Sequence, residues 1–318
     1  MSYRMNNVTI IGGGTMGHSL AQVFAQGGYQ VFLNDISQDI LIRAKRLIKS
    51  NLKTLAEVGL FDLKDYSAVV EERITYTIDL AAAVASSALV IEAIVEDPDA
   101  KKALFSELDR LSPPEAILAS NTSYLDIYKI VETSRPGKVI ITHWFAPPHI
   151  VPLVEIVPGP HTSPETVTAV KKMIDDLGKQ TIVLKKFLPG FIANRLQAAL
   201  SLEVYHLLDE GYATPEDIDR ATKASFGLRM PILGLVKRAD FAGLDMTQHA
   251  LRNKSYVPPA IKGRSKTIDS MVSKGRLGVK TGKGFYDYGD SPIEDILRER
   301  DLKLLKLKRF LYEMGEMD

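Results

Sequence analysis

The feature that most constrains this chain lies near its start. A short apolar run, NVTII, ends in Gly12-Gly13-Gly14-Thr15-Met16-Gly17, and a run with Leu20, Val23 and Phe24 at helical spacing follows. Glycines at Gly12-x-Gly14-x-x-Gly17 between a strand and a helix do three separate things. The first allows a tight turn, the second lets backbone approach a pyrophosphate, and the third lets helix and strand pack closely. The helix start then offers free N–H groups and a positive dipole end to the phosphates, with Thr15 and Met16 in the same turn. The pattern alone is weak, because glycine is common in turns. Its position between strand and helix gives it weight.

The second strand-like run, YQVFLNDI, ends in Asn34-Asp35. Asp35 stands 18 residues past Gly17. A carboxylate there can accept hydrogen bonds from ribose hydroxyls and would repel a 2′-phosphate, which favours NAD over NADP. The plainer reading of Asp35 is a residue that ends a strand and turns the chain.

Beyond this point short apolar runs (ALVIEAIVE, AILASNTS, KVIITHWF, LVEIV, QTIVLKK) alternate with helical stretches such as DAKKALFSELDRL. This alternation predicts a doubly wound α/β domain of Rossmann type, with a mostly parallel sheet covered on both faces. After Lys186 the pattern changes to helices. PGFIANRLQAALSLEVYHLLDEG reads as one long helix starting at Pro189-Gly190, and Thr214 with Pro215 and Asp217 opens the next. Two domains are expected, 1–187 and an all-α 188–318, with the boundary near 186–189. The charged amphipathic tail from Ser291 to Asp318 reads as a solvated helix lying on the second domain or as a subunit contact.

Composition removes several function classes. The net charge of +1 gives no electrostatic case for nucleic acid or an anionic membrane as partner. The absence of cysteine excludes disulfides, thiolate metal sites and cysteine nucleophiles. No metal site is expected. No apolar run approaches a membrane span, and the first strand begins about six residues in, so the expected location is cytoplasmic.

The segments IIGGGTMG, VIEAIVED, ASNTSYLDI, THWFAPPH, LVEIV, PGFIANRL, EDIDRA and GRLGVKTGKGFYDY follow one another in order between Val8 and Tyr288. Taken together, this order and spacing resemble the 3-hydroxyacyl-CoA dehydrogenase family. The resemblance implies an NAD-binding domain followed by a helical domain that mediates homodimerisation. It implies that His143 is the catalytic base, Glu155 its partner, and Ser123 and Asn194 the groups that bond the substrate's oxygens. Glu96 and Lys101 match the family's glutamate on the nicotinamide side and the lysine five residues on. Because Asn194 begins the second domain's first helix, the active site is expected between the domains.

Those residue types suit the reaction. Oxidising a secondary alcohol requires a hydride acceptor and a base within hydrogen-bond reach of the hydroxyl. An unperturbed histidine titrates near 6.5, and a carboxylate beside it would orient the ring and stabilise the imidazolium. Each residue also has a plainer reading: His143 as a satisfied polar residue, Glu155 as a surface carboxylate, Ser123 as a helix cap, Asn194 as a polar position on a helix. His149, His161, His206 and His249 have no comparable setting and read as ordinary residues.

Two departures bear on substrate. The asparagine of the family's H-x-x-N-P segment is Ala146 here, and the family's M-G-P element is absent from SFGLRMPILGLVKRADFAGLD. Arg229 in that stretch is a natural fork for a free carboxylate. The PPHIVPLVE wording is also closer to branches that oxidise small free hydroxy acids such as gulonate, carnitine or a pyridine carboxylate. Against this, Lys45, Arg46, Lys49 and Lys53 could meet CoA phosphates, although such a charge run is more often a solvated face. The leading expectation is a 3-hydroxyacyl-CoA dehydrogenase, with a free hydroxy acid dehydrogenase second. A non-catalytic NAD-binding or structural protein is third.

Overall fold

The computed structural model describes residues 6–254 and 256–317. Contacts divide the chain into two compact units, Met1–Asn194 and Arg195–Asp318. The first contains β1 (Asn7–Ile11), α1 (Gly17–Gln26), β2 (Gln30–Asn34), α2 (Gln38–Glu57), β3 (Ile74–Thr77), α3 (Leu80–Val84), β4 (Leu89–Glu92) and α4 (Pro98–Leu111). It continues through β5 (Ile117–Ser120), α5 (Ile127–Ile130), β6 (Val139–Trp144), β7 (Leu153–Pro158), α6 (Pro164–Asp176) and β8 (Gln180–Val183).

The strands form one eight-stranded sheet in the order β3-β2-β1-β4-β5-β6-β7-β8. The first six are parallel, β7 runs against β6, and β8 runs parallel to β7. Strands β4, β5 and β6 are buried at every position. That is why they read as continuous apolar runs with no alternation. On α2, Leu41, Ala44, Ile48, Leu52 and Leu55 are buried at helical intervals, so one stripe packs inward and the charged stripe faces water. The chain runs outward from β1 in both directions, to β2 and to β4. Such a switch point opens a crevice at the carboxyl ends of the strands.

The glycine turn lies at that crevice. Gly12 has φ +97°, and a Cβ there would meet the Ala93 carbonyl oxygen at 2.7 Å. A Cβ on Gly17 would lie 1.6 Å from the Gly12 carbonyl oxygen, so helix and turn touch backbone to backbone. A Cβ on Gly14 would meet nothing within 4 Å. The three glycines thus divide as the sequence predicts: two required by packing, and one beside open space.

The second unit holds most of α7 (Ala193–Asp209), then α8 (Pro215–Ala224), α9 (Phe226–Ala242), α10 (Leu244–Arg252), α11 (Lys266–Ser273) and α12 (Ile293–Glu313). Its described residues form no named strand, only isolated bridges at Gly278–Lys283 and Lys283–Asp287. Thr214 caps α8 by accepting the Asp217 N–H at 3.1 Å. α9 is interrupted at Gly234, where φ is +63°. α12 packs on its unit through Asp301, Leu305 and Leu311.

One helix start differs from the sequence expectation. α7 begins at Ala193, not at Pro189-Gly190. Gly190 (φ +78°) and Phe191 (φ +50°) occupy the left-handed region, which breaks helical continuity there. Non-glycine residues seldom hold that conformation, and Phe191 holds it with its side chain fully buried.

Gly17→Ala is expected to destabilise the protein by about 1–3 kcal/mol, because the new methyl group must displace backbone. Gly14→Ala is expected to leave the urea midpoint nearly unchanged. Equilibrium urea unfolding of the two variants compares them directly.

Candidate active site

The antiparallel register of β6 and β7 places His143 directly opposite Glu155. The Glu155 carboxylate is fully buried, and His143 is 3% exposed. His143 Nδ1 lies 2.8 Å from Glu155 Oε2. A carboxylate there fixes the proton on Nδ1 and leaves the Nε2 lone pair facing the site. Glu155 Oε1 accepts the backbone N–H groups of Ile192 (2.9 Å) and Ala193 (3.0 Å), the start of α7. These are donors that a helix cannot satisfy internally, and the helix dipole favours negative charge at this end.

Two further side chains converge on Nε2. Ser123 Oγ lies 3.2 Å from it, and Asn194 Nδ2 lies 3.4 Å from it. The ring is flanked by Phe145, with centroids 4.5 Å apart, and by Phe191 at 5.1 Å. All four predicted site residues therefore meet at one imidazole, within the first unit. A histidine with one nitrogen held by a buried carboxylate and the other open between two polar groups is equipped to accept a proton.

The Ser123 turn has its own supports. Glu96 Oε1 accepts Thr122 Oγ1–H at 2.6 Å, Ser123 N–H at 2.9 Å and Tyr124 N–H at 3.0 Å. Burial alone would raise the Glu96 carboxyl. The Thr122 and Tyr124 bonds and the Lys101 charge outweigh it, and the net shift is downward. Lys101 Nζ lies 3.4 Å from Glu96 Oε2, but Lys101 is itself buried, with its shorter bonds to Glu92. Lys101 thus stands behind Glu96 instead of lining an open surface. Asn121 Oδ1 accepts the Trp144 N–H at 2.9 Å and ties the turn to β6 beside His143.

At the other end of the crevice Asp35 accepts the Gly13 N–H at 2.7 Å and the Ser37 N–H at 3.0 Å. It holds the glycine turn and its own turn at once. Gly14, Thr15 and Met16 lead into the start of α1, next to the space a phosphate group needs.

The charge-run residues lie elsewhere. α2 follows β2, which is four places along the sheet from β6. Lys45 pairs with Glu71 at 3.0 Å, Lys49 lies 5.7 Å over the Tyr66 ring, and Arg46 and Lys53 are exposed. Arg229 is an exposed residue of α9, with Nε 3.4 Å from the Ser225 carbonyl of the preceding turn. Ala146 is exposed and precedes a cis bond to Pro147.

Sequence reasoning missed three contributors: Glu92, Asn121 and Phe191. The first glutamate of VIEAIVED could have been singled out as a carboxylate in an apolar strand. Nothing in the sequence marked Phe191 as a wall of the histidine. His149, which had no special setting in the sequence, lies in the loop between β6 and β7 and anchors it to α1. Its Nδ1 lies 2.8 Å from Ser19 Oγ, and its N–H donates to the same oxygen at 3.0 Å.

A strand-end glycine turn, a carboxylate after the second strand and a carboxylate-held histidine together define a two-domain dinucleotide-dependent dehydrogenase. Residues 7–187 match the 3-hydroxyacyl-CoA dehydrogenase NAD binding domain, and residues 190–288 match that family's C-terminal domain. The chain belongs to the 3-hydroxyacyl-CoA dehydrogenase family. It is 38% identical over 287 residues to a probable 3-hydroxybutyryl-CoA dehydrogenase of Deinococcus radiodurans, covering 88% of this chain and 99% of that one. It is 30% identical over 311 residues to 5-formyl-3-hydroxy-2-methylpyridine 4-carboxylate 5-dehydrogenase of Mesorhizobium japonicum, covering 96% of this chain and 98% of that one. A crystal structure of an enzyme with that activity, described as NAD+-dependent, superposes with a TM-score of 0.86 at 29% identity, covering 97% of this chain and 99% of that chain.

His18, which the sequence reading did not weigh, reports on the glycine turn. Its Nδ1 lies 2.7 Å from the Gly14 carbonyl oxygen. Burial lowers its pKa from 6.5, partly opposed by the bond to Gly14, and the Arg43 charge lowers it further. The unfolded chain therefore takes up this proton first. Stability is expected to be full above about pH 6.5 and to fall as pH drops through the lowered folded value. In His18→Gln that part of the slope should vanish. Thermal melts of both proteins between pH 5 and 8 measure it.

Proposed function

We propose that the protein catalyses the NAD-dependent oxidation of a 3-hydroxyacyl-CoA to the 3-ketoacyl-CoA, with His143 as general base. The observation that carries this reading is the Glu155–His143 pair with Ser123 and Asn194 at Nε2. Bound NAD would supply the hydride acceptor. His143 Nε2 takes the hydroxyl proton as the carbinol C–H bond breaks and the C–O bond becomes a carbonyl. Glu155 keeps the ring oriented and stabilises the imidazolium that forms. Ser123 and Asn194 hydrogen-bond the substrate's oxygens and fix the hydroxyl near Nε2, the kind of orientation that contributes much of an enzyme's rate. The glycine turn with Thr15 and Met16 takes the pyrophosphate, Asp35 the adenosine ribose, and Glu96, backed by Lys101, the nicotinamide side. Lys49 and Lys53 would meet CoA phosphates.

A second reading, oxidation of a small free hydroxy acid, has its own support. The match to the pyridine carboxylate dehydrogenase extends over 96% of the chain, and the corresponding fold agrees at a TM-score of 0.86. Arg229 is then the carboxylate fork. NADH absorbance with 3-hydroxybutyryl-CoA and with a panel of free hydroxy acids separates the two. The first reading expects turnover with the thioester, and turnover with a free acid alone would replace it by the second. In either case His143→Gln is expected to lose roughly 10²–10⁴-fold in kcat, the usual range for a general base. Its NADH affinity, read by fluorescence, should be nearly unchanged, and equal loss of both would contradict the role.

The protein acts as a homodimer through its helical unit. Helices α7, α9, α10 and α11 bury no residue within one chain, and Leu228, Val236, Phe241 and Leu251 are all more than 70% exposed. That much exposed apolar surface is unusual for a monomer. Sedimentation equilibrium is expected to give twice the 35.2 kDa chain mass. A monomer at micromolar concentration would refute it.

A further inference from the structure

The end of β4 carries a charge that the proposed chemistry does not use. Glu92 is fully buried, paired in register with Ile11 on one side and Ser120 on the other. Its carboxylate accepts hydrogen bonds from Lys101 Nζ at 2.7 and 2.8 Å, from the Ile94 N–H at 3.2 Å, and from Ser120 Oγ–H. Lys101, on α4, is 1% exposed. Burying two charges is costly, and a well-packed apolar pair of the same volume often serves a core as well or better. The pair's value to the fold is therefore a weak explanation for it.

What the pair holds is a better one. Two routes run from Glu92 to the Ser123 turn. On the short route, Ser120 Oγ donates to Glu92 and accepts the Thr122 N–H at 3.2 Å. The long route passes from Lys101 Nζ to Glu96 Oε2 at 3.4 Å, and from Glu96 Oε1 to Thr122, Ser123 and Tyr124. Glu96 is 38% exposed and by itself free to turn toward water. A fixed cation behind it restrains that motion, and Lys101 is fixed by its bonds to Glu92. Both routes end in the turn that carries Ser123, the long one at Ser123 itself and the short one at its neighbour Thr122; the Ser123 hydroxyl lies 3.2 Å from His143 Nε2.

We infer that Glu92 is a positioning residue for the reaction. It holds Lys101, and through it Glu96, and together with Ser120 it keeps Ser123 in place beside His143. Glu92 touches neither substrate nor cofactor. The inference rests on the dehydrogenase reading, in which Ser123 bonds the substrate's oxygen.

Glu92→Gln alone leaves a buried ammonium without its full counter-charge and is expected to be unstable. Glu92→Gln/Lys101→Met removes both charges and is expected to keep the melting midpoint. In that variant kcat is expected to fall on the order of tenfold through misplacement of Ser123. KM for the hydroxy substrate should stay within about twofold of wild type. Amide hydrogen exchange at Ser123 and Tyr124 should quicken. In a Ser123→Ala background the same two substitutions are expected to cost a smaller fraction of kcat than in the wild-type background, the remainder coming through Glu96 on the cofactor side. Wild-type kcat in the double variant, or an equal fractional loss in both backgrounds, would overturn the inference. Should the wild-type protein oxidise no hydroxy substrate, the dehydrogenase reading fails separately. Exchange then decides: unchanged protection at Ser123 and Tyr124 overturns the positioning, and faster exchange supports it.

Discussion

The Glu155 carboxylate is the interaction on which the site depends. One oxygen holds His143 Nδ1, and the other accepts two backbone N–H groups at the start of α7. A fully buried carboxylate is stable only when its lone pairs are satisfied. Here the imidazole and the helix start satisfy them together. The same charge therefore sets the ring's orientation and anchors the helix that brings in Asn194. The left-handed turn at Gly190-Phe191 follows from this arrangement: the chain must bend sharply to aim two N–H groups at Glu155, and it places Phe191 against the imidazole.

Around His143 Nε2 three parts of the chain meet by different means. The β6–β7 ladder supplies the ring and its carboxylate. The turn after β5 supplies Ser123 and is pinned by Glu96 and by Asn121. The start of α7 supplies Asn194. The nucleotide end of the crevice is built more simply. Backbone meets backbone at Gly12 and Gly17, and Asp35 ties the glycine turn to the end of β2. A proton-transfer site requires side chains held to within a fraction of an ångström, so it draws on several elements. A phosphate turn requires mainly backbone and open space.

Much of the fold could be read from patterning. The buried parallel strands appear in sequence as apolar runs without alternation, and the amphipathic stripe of α2 as helical spacing. The pairing of His143 with Glu155 was legible only as a condition, that their strands be neighbours in the right register. That condition is set by the turn between them and by burial on both faces. The start of α7 was misread because PGF looks like a proline-led helix start. A tertiary demand, the Glu155 carboxylate, moved that start to Ala193. Glu92 was not singled out in the sequence, since the lysine that neutralises it comes from a helix nine residues on.

By itself the sequence determined the doubly wound sheet, the phosphate turn and the carboxylate at Asp35, and its order of motifs, through a family resemblance, pointed to His143, Glu155, Ser123 and Asn194. The first three follow from local periodicity, from glycine's conformational freedom and from what a carboxylate at a strand end can bond; the four site residues follow from the resemblance. The tertiary structure alone decided which charges neutralise each other and where the helix carrying Asn194 begins. It also decided how Ser123 is held. Those outcomes depend on burial, since a charge removed from water must find a partner in space, and sequence spacing does not reveal which partner the fold will bring to it.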